Sequence, residues 1–387
     1  MADDIVLPIP NLSLPQALFI LSTPTLERLH ENARADLLKG IKADEMAPYY
    51  RSVTSNAPSV LPVDNDVLTS MESANAEELK KLDEKLVEAE KQEGESEISD
   101  ALRARANYLT KIGDKDASVA AQKLALEKTP GLGSRIDIVL TLARIGFFFG
   151  DQALITEHLG KAETLIEEGG DWDRRNRLKV YNGLQLLSVR QFKRGGELLL
   201  DALSTFTATE LLSYNDFVAL TAISNALVLS RVDLKKKILD APEVNQVLPD
   251  LPFLGDLVKN LYECHYDKFF VALATLEKNH LIPSRVLSPH ARFYTREMRI
   301  RAYTQLLESY RSLTLESLAA AFGVSVGFVD NELSRFIATG RLHCSIDRVH
   351  SVVETTRPSL KAAQYEQLVK QGDVLLNGVQ RLSKVLH

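Results

Sequence analysis

The sequence has only two cysteines, Cys264 and Cys344, among 387 residues. They lie far apart and form no Cys-x-x-Cys pair, which excludes a disulfide framework and a thiolate zinc site and favours a reducing compartment. Long hydrophobic runs are also missing: FVALTAISNALVL, at residues 217–229, is too short and too interrupted by polar residues to span a bilayer. The start, MADDIVLPIP, lacks the basic and apolar regions of a signal peptide, so we expect an intracellular soluble protein.

Catalytic motifs are lacking too. The chain contains no GxxxxGK[ST] phosphate loop, no HExxH and no GxSxG, and the glycines of TPGLGSR follow a helical pattern rather than a strand. Cys264 and His265 are adjacent, which is more typical of packing than of a thiol nucleophile. His343 and His350 are expected to face each other across the predicted wing described below, but no third metal ligand stands at suitable spacing. We therefore expect no enzyme activity, no metal and no cofactor.

An excess of basic charge is missing as well, because 46 lysines and arginines stand against 52 acidic residues, which gives a net charge of −6, and one segment is strongly acidic. Residues 71–100 contain eleven acidic residues and four lysines. The proline-free run at residues 76–109 predicts a charged helix with one buried edge, formed by Leu79, Leu82, Leu86 and Ala89. An acidic whole argues against a general nucleic-acid binder.

Helical periodicity dominates the chain from residue 101. Gly113, Gly150 and Arg190 stand at spacings of 37 and 40 residues, and an alanine follows each after twelve residues: Ala125, Ala162 and Ala202. Small residues allow close helix contacts, and the glycines allow tight turns, so this pattern predicts tetratricopeptide-like helix pairs stacked into a solenoid. Before residue 63 the chain holds seven of its fourteen prolines, which predicts extended segments and short helices there.

A helix-turn-helix pattern stands at residues 314–343, TLESLAAAFGVSVGFVDNELSRFIATGRLH. Thr314 and Ser325 are predicted N-caps, and Gly323 and Gly340 are predicted helix ends. The predicted buried faces are Leu315, Leu318, Ala319 and Phe322 in the first helix and Val326, Val329, Leu333, Phe336 and Ile337 in the second. Alternation in LHCSID predicts a strand at residues 342–346, and HSVVET can form a second strand antiparallel to it. A helix-turn-helix followed by such a hairpin is a winged helix.

The outward face of the second helix decides against DNA binding. It carries Gly327, Asp330, Asn331 and Ser334, flanked by Glu332 and Arg335, so carboxylates would face phosphates. A separate stripe of Arg292, Arg296 and Arg299 could bind RNA phosphates, but a solvated helix face with local partners such as Glu297 and Glu308 is the favoured interpretation.

The last predicted helix, at residues 362–386, has a heptad pattern. Its apolar or small residues alternate at spacings of three and four: Tyr365, Leu368, Gly372, Leu375, Val379, Leu382 and Leu386. The helix could fold back on its own winged helix. Packing into a bundle with other chains is the interpretation that we favour slightly.

A helical-repeat array followed by an acidic winged helix and a terminal helix resembles the PCI-domain family. The resemblance is carried by three segments: LDEKLVEAEKQEGESEISDALRARANYLTKIGDK, RFYTREMRIRAYTQLLESYRSLTLESLAAAFGVSVGFVDNELSRFIATGRLHCSIDRVHSVVETTRP and KQGDVLLNGVQRLSKVL. It covers nearly the whole chain from about residue 75 and is strongest to the proteasome lid members of that family. Other members serve the COP9 signalosome and the large translation-initiation complex, and a signalosome subunit or an RNA-associated PCI protein remains an alternative.

The resemblance implies a non-catalytic scaffold in ubiquitin-dependent protein degradation, in the cytoplasm and nucleus. Implied partners are other PCI lid subunits, metal-dependent deubiquitinase subunits and the ATPase ring. It implies that winged helices join by strand addition and that terminal helices gather in one bundle. The implied contact residues are Leu342, Cys344, Ile346, Leu368, Leu375, Val379, Leu382 and Leu386.

Four segments are expected. They are an N-terminal extended and helical region with the acidic helix (1–98), tetratricopeptide-like repeats (99–192), a PCI domain (193–361, with the winged helix at about 314–357) and the terminal helix (362–387).

Overall fold

The computed structural model describes residues 6–56, 61–92, 94–356 and 360–386, with the side chains of residues 360, 362, 363, 385 and 386 outside the description. This part of the chain forms nineteen α-helices and one small sheet, which confirms the mainly α prediction. The helices are α1 Ser13–Ser22, α2 Glu27–Ala43, α3 Ala47–Asn56, α4 Asn65–Gln92, α5 Glu95–Ile112, α6 Lys115–Lys128, α7 Leu132–Phe149, α8 Gln152–Gly169, α9 Trp172–Ser188, α10 Phe192–Asp201, α11 Tyr214–Val228, α12 Arg231–Leu234, α13 Pro242–Val247, α14 Pro252–Glu263, α15 Tyr266–Leu276, α16 Ala291–Leu307, α17 Leu315–Phe322, α18 Val326–Ala338 and α19 Leu360–Leu386. None of the described helices has the length and apolar character that crossing a membrane requires.

The sheet has three antiparallel strands in the order β1, β3, β2. Its strands are β1 Ser312–Thr314, β2 Cys344–Asp347 and β3 Val352–Thr355. The predicted hairpin corresponds to β2 and β3, although β2 begins two residues later than predicted. β1 was not predicted, because a strand of three residues is too short to show a period of two.

Contacts within the chain define two compact units. The first comprises Met1–Val258 and Ala274–Tyr294, and the second comprises Lys259–Leu273 and Thr295–His387. This division is coarser than the four predicted segments, which stay a prediction.

Helix pairs build the first unit. α5 packs against α6, α7 against α8 and α9 against α10, in the order that the repeat predicts. Ala125, Ala162 and Ala202 are completely buried, as expected of small residues at contacts between helices. Polar contacts link successive pairs: the Lys115 ammonium lies 2.9 Å from the Asp151 carboxylate. The acidic run at residues 76–109 is broken between α4 and α5, and its predicted edge is buried or half-buried.

The turns between α5 and α6 and between α7 and α8 each require a glycine. Gly113 has φ +75° and Gly150 has φ +74°, a left-handed conformation that favours glycine. Arg190 takes the same conformation at φ +68° despite its β carbon. Its guanidinium lies 5.3 Å from the centre of the Phe293 ring and donates to His290 Nδ1 at 3.4 Å, contacts that offset the strain.

The same glycine-to-alanine change should have opposite effects at two positions of this unit. Gly113→Ala should cost about 1–2 kcal/mol from the left-handed conformation alone, and its new Cβ would lie 2.9 Å from Tyr49 Cβ. Gly160→Ala, in the middle of α8 with no atom within 4 Å, should add up to about 1 kcal/mol of helix stability. Thermal unfolding of the two variants measures the signs; equal shifts would contradict the assigned turn.

The N-terminal residues are more helical than predicted. α1, α2 and α3 share one hydrophobic cluster, with Leu37, Ile41 and Met46 at its centre. The seventeen residues of α2 are not a short helix. None of the prolines before residue 63 lies inside α2, so nothing of this kind interrupts its helix.

Candidate interaction surfaces

The helix-turn-helix in the second unit begins and ends where its capping residues are placed. Thr314 Oγ1 accepts a hydrogen bond from the Ser317 N–H, and Ser325 Oγ accepts one from the Phe328 N–H. Gly323 ends α17 in the left-handed conformation at φ +64°. These bonds satisfy backbone donors that the first turn of each helix leaves open, which confirms both predicted N-caps.

An aromatic cluster fixes the helix-turn-helix to the helices of its own unit. The Phe322 ring lies 4.5 Å from that of Tyr303 and 4.9 Å from those of Tyr266 and Phe270, measured between ring centres. The predicted buried face of α17 is confirmed, as are Val329, Leu333 and Phe336 in α18. Ile337 is half-buried. Val326 was assigned to this face wrongly: it is 40% exposed, because it stands in the first turn of α18.

Glu332 forms an ion pair with Arg299, one of the three arginines of the possible RNA-binding stripe. Arg299 Nη1 lies 2.8 Å from Glu332 Oε1, and the Tyr303 hydroxyl donates to Glu332 Oε2 at 3.2 Å. Burial raises the pKa of Glu332, whereas Arg299 and Tyr303 act in the opposite direction. Arg292 and Arg296 are exposed. The three arginines therefore do not form one free cationic face, and the stripe loses a phosphate contact that it would need.

The outward face of α18 is acidic and partly apolar. Asp330 Oδ2 accepts from Arg348 in the wing at 3.2 Å, so the loop between β2 and β3 lies beside this helix. Asn331 is exposed, and Phe328 is 38% exposed. Among the described residues, this face has two cationic side chains that could meet a phosphate backbone: Arg335 near the end of the helix, and Arg348. Asp330 neutralises the charge of Arg348.

At the edge strand β2, backbone groups are more accessible to a partner than the predicted contact side chains are. Of the predicted contact residues in the wing, Leu342 is 5% exposed and Cys344 is 6% exposed, so both face the interior. Ile346 is half-buried. Two of these three side chains therefore support the winged helix itself, because alternation directs them to the covered face of the sheet.

The register shows which backbone groups lie at the outer edge. The Thr356 N–H donates to the His343 carbonyl, and Ser345 pairs with Glu354. Because antiparallel partners alternate, the amides of Cys344 and Ile346 point away from β3, towards the side on which the described residues place no strand. β1 forms the opposite edge, and a sequence period could not have revealed it.

The wing contains no reactive thiol or assembled metal site. Burial raises the pKa of the Cys344 thiol, which keeps it protonated. His350 Nδ1 lies 2.6 Å from Asp347 Oδ2, and this bond lowers the pKa of Asp347. His343 precedes β2 and pairs with Thr356, so the two histidines do not face each other across the wing as predicted. The described residues contain no group of three or more side chains that could hold a metal ion.

Cys264 and His265 do not form a nucleophile and base. The Cys264 sulfur accepts from Gln305 Nε2 at 3.1 Å, and His265 Nδ1 lies 3.3 Å from Glu263. The two side chains thus have separate partners.

The terminal helix α19 has an apolar stripe that meets no other part of the described chain. Every side chain described in it is exposed, which contradicts the alternative of folding back on the winged helix. The residues of this terminal stripe are between 61% and 71% exposed: Tyr365, Leu368, Leu375, Val379 and Leu382. Leu386 lies outside the described side chains.

Two further residues belong to the same face of α19. Val369 and Leu376 follow heptad positions directly and are 60% and 61% exposed, so they widen the stripe. Val374 lies on the opposite side, about half a helical turn away. A broad apolar face on an isolated helix calls for a partner, because exposed patches of this kind mark interaction sites.

Three family models match the chain. The model described as 26S proteasome subunit RPN7 matches residues 64–237, and the PCI domain model matches residues 259–357. The model described as 26S proteasome regulatory subunit RPN7/PSMD6 C-terminal helix matches residues 364–386, which include the terminal stripe.

Curated relatives are similar over nearly the full length. The 26S proteasome non-ATPase regulatory subunit 6 homolog of Arabidopsis thaliana is 46% identical over 97% of each chain. The regulatory subunit rpn7 of Schizosaccharomyces pombe is 43% identical, covering 96% of this chain and 95% of its own. The subunit RPN7 of Saccharomyces cerevisiae is 40% identical, covering 96% of this chain and 92% of its own.

Proposed function

Because this chain belongs to the family of the 26S proteasome regulatory subunit RPN7, also called non-ATPase regulatory subunit 6, we propose that it is a non-catalytic scaffold of the regulatory-particle lid. In this role it supports the ATP-dependent degradation of ubiquitinated proteins through contacts between subunits. It works in the cytoplasm and nucleus. The catalytic removal of ubiquitin belongs to other subunits.

One observation carries the proposal: the terminal stripe is an apolar face that the described part of the chain leaves uncovered. Hydrophobic side chains gain about 25 cal/mol for each Å² of apolar surface removed from water, so a row of exposed leucines is costly unless another molecule covers it. A heptad face packs most readily against other helices. We therefore assign the partner of α19 to a bundle of helices from other PCI lid subunits.

The sheet supports a second contact with the same class of partner. Cys344 and Ile346 present backbone donors and acceptors at one edge, and a strand from a neighbouring winged helix could add there. Among the predicted wing residues, the contribution of Cys344 is thus its backbone, since its side chain is buried. Further partners in this proposal are the metal-dependent deubiquitinase subunits and the ATPase ring.

Polar substitutions in the terminal stripe should release the chain from its complex. We expect Leu368→Ser, Leu375→Ser and Leu382→Ser together to reduce stoichiometric co-purification of other lid subunits at least about tenfold, because buried apolar anchors dominate helix interfaces. The fold of the chain should remain, since these side chains are already exposed. Affinity purification followed by mass spectrometry of the native complex measures the loss.

A matched control uses the opposite face of the same helix. Val374→Ser changes an equally exposed residue, at 73%, and should leave co-purification unchanged. A truncation before Pro358 should behave as the triple variant does, with circular dichroism showing that the remaining helices persist. Unchanged recovery of the triple variant would remove the helical-bundle contact from the proposal.

The same purification separates the alternatives. ATPase-ring subunits should accompany a proteasome lid subunit and not a signalosome subunit. The RNA-associated alternative requires salt-sensitive binding of single-stranded RNA that disappears when Arg292, Arg296 and Arg299 become glutamate. Arg299 is held by Glu332, so we do not expect that result.

A further inference from the structure

A small polar cavity lies between α5, α7 and the N-terminal segment of the first unit. Its volume is about 90 Å³, well below the size of a pocket for a nucleotide or a drug-sized molecule. The lining residues are Val6, Leu7, Ile9, Arg103, Asn107, Asp137, Ile138, Thr141 and Arg144. None of them belongs to the surfaces described above.

Arg144 is the unusual member of this lining. Its side chain is the largest among the fully buried ones, at 1% exposure. Nη1 donates to the Leu7 carbonyl and Nη2 donates to Thr141 Oγ1 at 2.7 Å, while Nε is buried without a hydrogen-bond partner among the described residues. Both bonds are to neutral acceptors, and the described residues show no carboxylate paired with this guanidinium. A buried positive charge without a counter-ion costs several kcal/mol.

Two other donors line the same cavity. Arg103 is half-buried, and its contacts with the described residues are long, at 3.4 Å to Ser134 Oγ and 3.7 Å to the carboxylate of Asp100. Asn107 accepts from Gln122 through Oδ1, so its Nδ2 remains a donor. Together with Arg144, these side chains give one small space two positive charges and an amide donor.

The carboxylate in the lining is bound by an arginine from outside the lining. Asp137 Oδ1 accepts from Arg174 Nε at 2.9 Å, and Oδ2 accepts from Arg174 Nη2 at 2.6 Å. This bidentate pair gives each oxygen of Asp137 a donor, and Arg174 also pairs with Asp171 at 2.7 Å. Among the described residues, the cavity therefore keeps unused donors, and the buried Arg144 guanidinium in its lining has no carboxylate partner.

We propose that this cavity binds a small oxyanion, inorganic phosphate or sulfate. Guanidinium groups match the geometry of such oxygens, and one ion could accept from Arg103, Arg144 and Asn107 together. The volume is large enough for a free ion and too small to enclose a large substituent as well. The ion would also fasten the segment at residues 6–9 to α5 and α7, since Leu7 already accepts from Arg144.

Direct binding to the full chain tests the site. Equilibrium dialysis with radiolabelled inorganic phosphate should show one saturable site, and sulfate should compete while chloride at equal ionic strength should not. Phenyl phosphate carries the same charged group on a bulky ring and should compete poorly. If phenyl phosphate competed as well as sulfate, the assignment to a free ion would be wrong.

Substitutions locate the site within the chain. Arg103→Gln should weaken phosphate binding roughly tenfold to a hundredfold, the usual effect of losing a hydrogen bond to a charged group. Arg105→Gln is the matched control, because Arg105 stands on the same helix, pairs with Asp83 and does not line the cavity. Arg144→Gln should abolish binding.

Thermal unfolding distinguishes a loss of phosphate binding from a failure of the variant to fold. Phosphate should raise the Tm of the natural chain and of Arg105→Gln in a saturable manner, and it should raise that of Arg103→Gln only at higher concentration. Absence of saturable phosphate binding by the natural chain would overturn the proposal. So would equal binding by the Arg103→Gln and Arg105→Gln variants.

Discussion

Replacing Phe322 with alanine is expected to destabilise the winged helix by about 3–5 kcal/mol. Phe322 is 1% exposed, and its ring contacts the rings of Tyr266, Phe270 and Tyr303. Removing it deletes the largest apolar group of α17 and leaves a cavity, because three surrounding rings cannot all move inwards. A loss of this size changes the ratio of folded to unfolded winged helix by at least about a hundredfold.

Hydrogen exchange localises this effect. Peptides from α17 and α18 should lose protection in the Phe322→Ala variant, whereas peptides from α7 and α8, in the other unit, should keep theirs. Phe328→Ala is the matched control: Phe328 is 38% exposed on α18, so its loss should cost far less. Equal exchange in the two variants would show that the aromatic cluster does not hold the winged helix.

The helices were predictable where local chemistry determines them. Thr314 and Ser325 cap their helices through side-chain oxygens, and Gly113 and Gly150 take the left-handed turns that the repeat requires. Such features depend on neighbours within a few residues, so the sequence contains the necessary information.

The predicted contact residues could not be assigned to a face from the sequence, because contacts depend on which face the fold covers. Alternation placed Leu342, Cys344 and Ile346 on one side of a strand but could not tell whether that side met a partner or the protein's own core. The structure buries the first two. β1 escaped notice for a related reason: its pairing with β3 is long-range, and three residues carry no periodic signal.

In the terminal helix, by contrast, the predicted apolar residues are exposed wherever their side chains are described. Its heptad predicted an apolar stripe, and the structure confirms that this stripe is exposed in the isolated chain. Sequence alone left open whether the chain would cover it. An intramolecular partner would have appeared as buried leucines in α19, and the described part of that helix has none. What covers the stripe in the assembly stays a proposal.

Acid is expected to weaken the first unit through one histidine, His158. Its side chain is completely buried in α8, and neither ring nitrogen has a hydrogen-bond partner among the described residues. Burial lowers the pKa of His158 from the ordinary 6.5 to about 4; Glu157 opposes this shift, and Lys161 and Lys123 reinforce it. The folded state therefore holds the imidazole neutral well below the pH at which an unfolded chain protonates it.

The direction of the pH effect follows from proton uptake. Between pH 6.5 and about 4 the unfolded chain binds a proton at His158 and the folded chain does not, so the free energy of unfolding falls as the pH falls. The full contribution is present above pH 6.5. Over the whole interval the loss reaches about 3 kcal/mol, since one pKa unit corresponds to about 1.4 kcal/mol.

Substitution separates this titration from the general effect of acid. Urea unfolding followed by circular dichroism at pH 7.5 and pH 4.5 should show a smaller loss of stability for His158→Leu and for His158→Gln than for the natural chain, because neither side chain titrates. His343→Gln, at an exposed position, should keep the natural pH dependence. Leucine fills an apolar site, whereas glutamine keeps a polar group there. The same reduced pH dependence in both variants would therefore assign the acid sensitivity to protonation of His158 rather than to packing. An unchanged pH dependence in both would show that His158 is not its source.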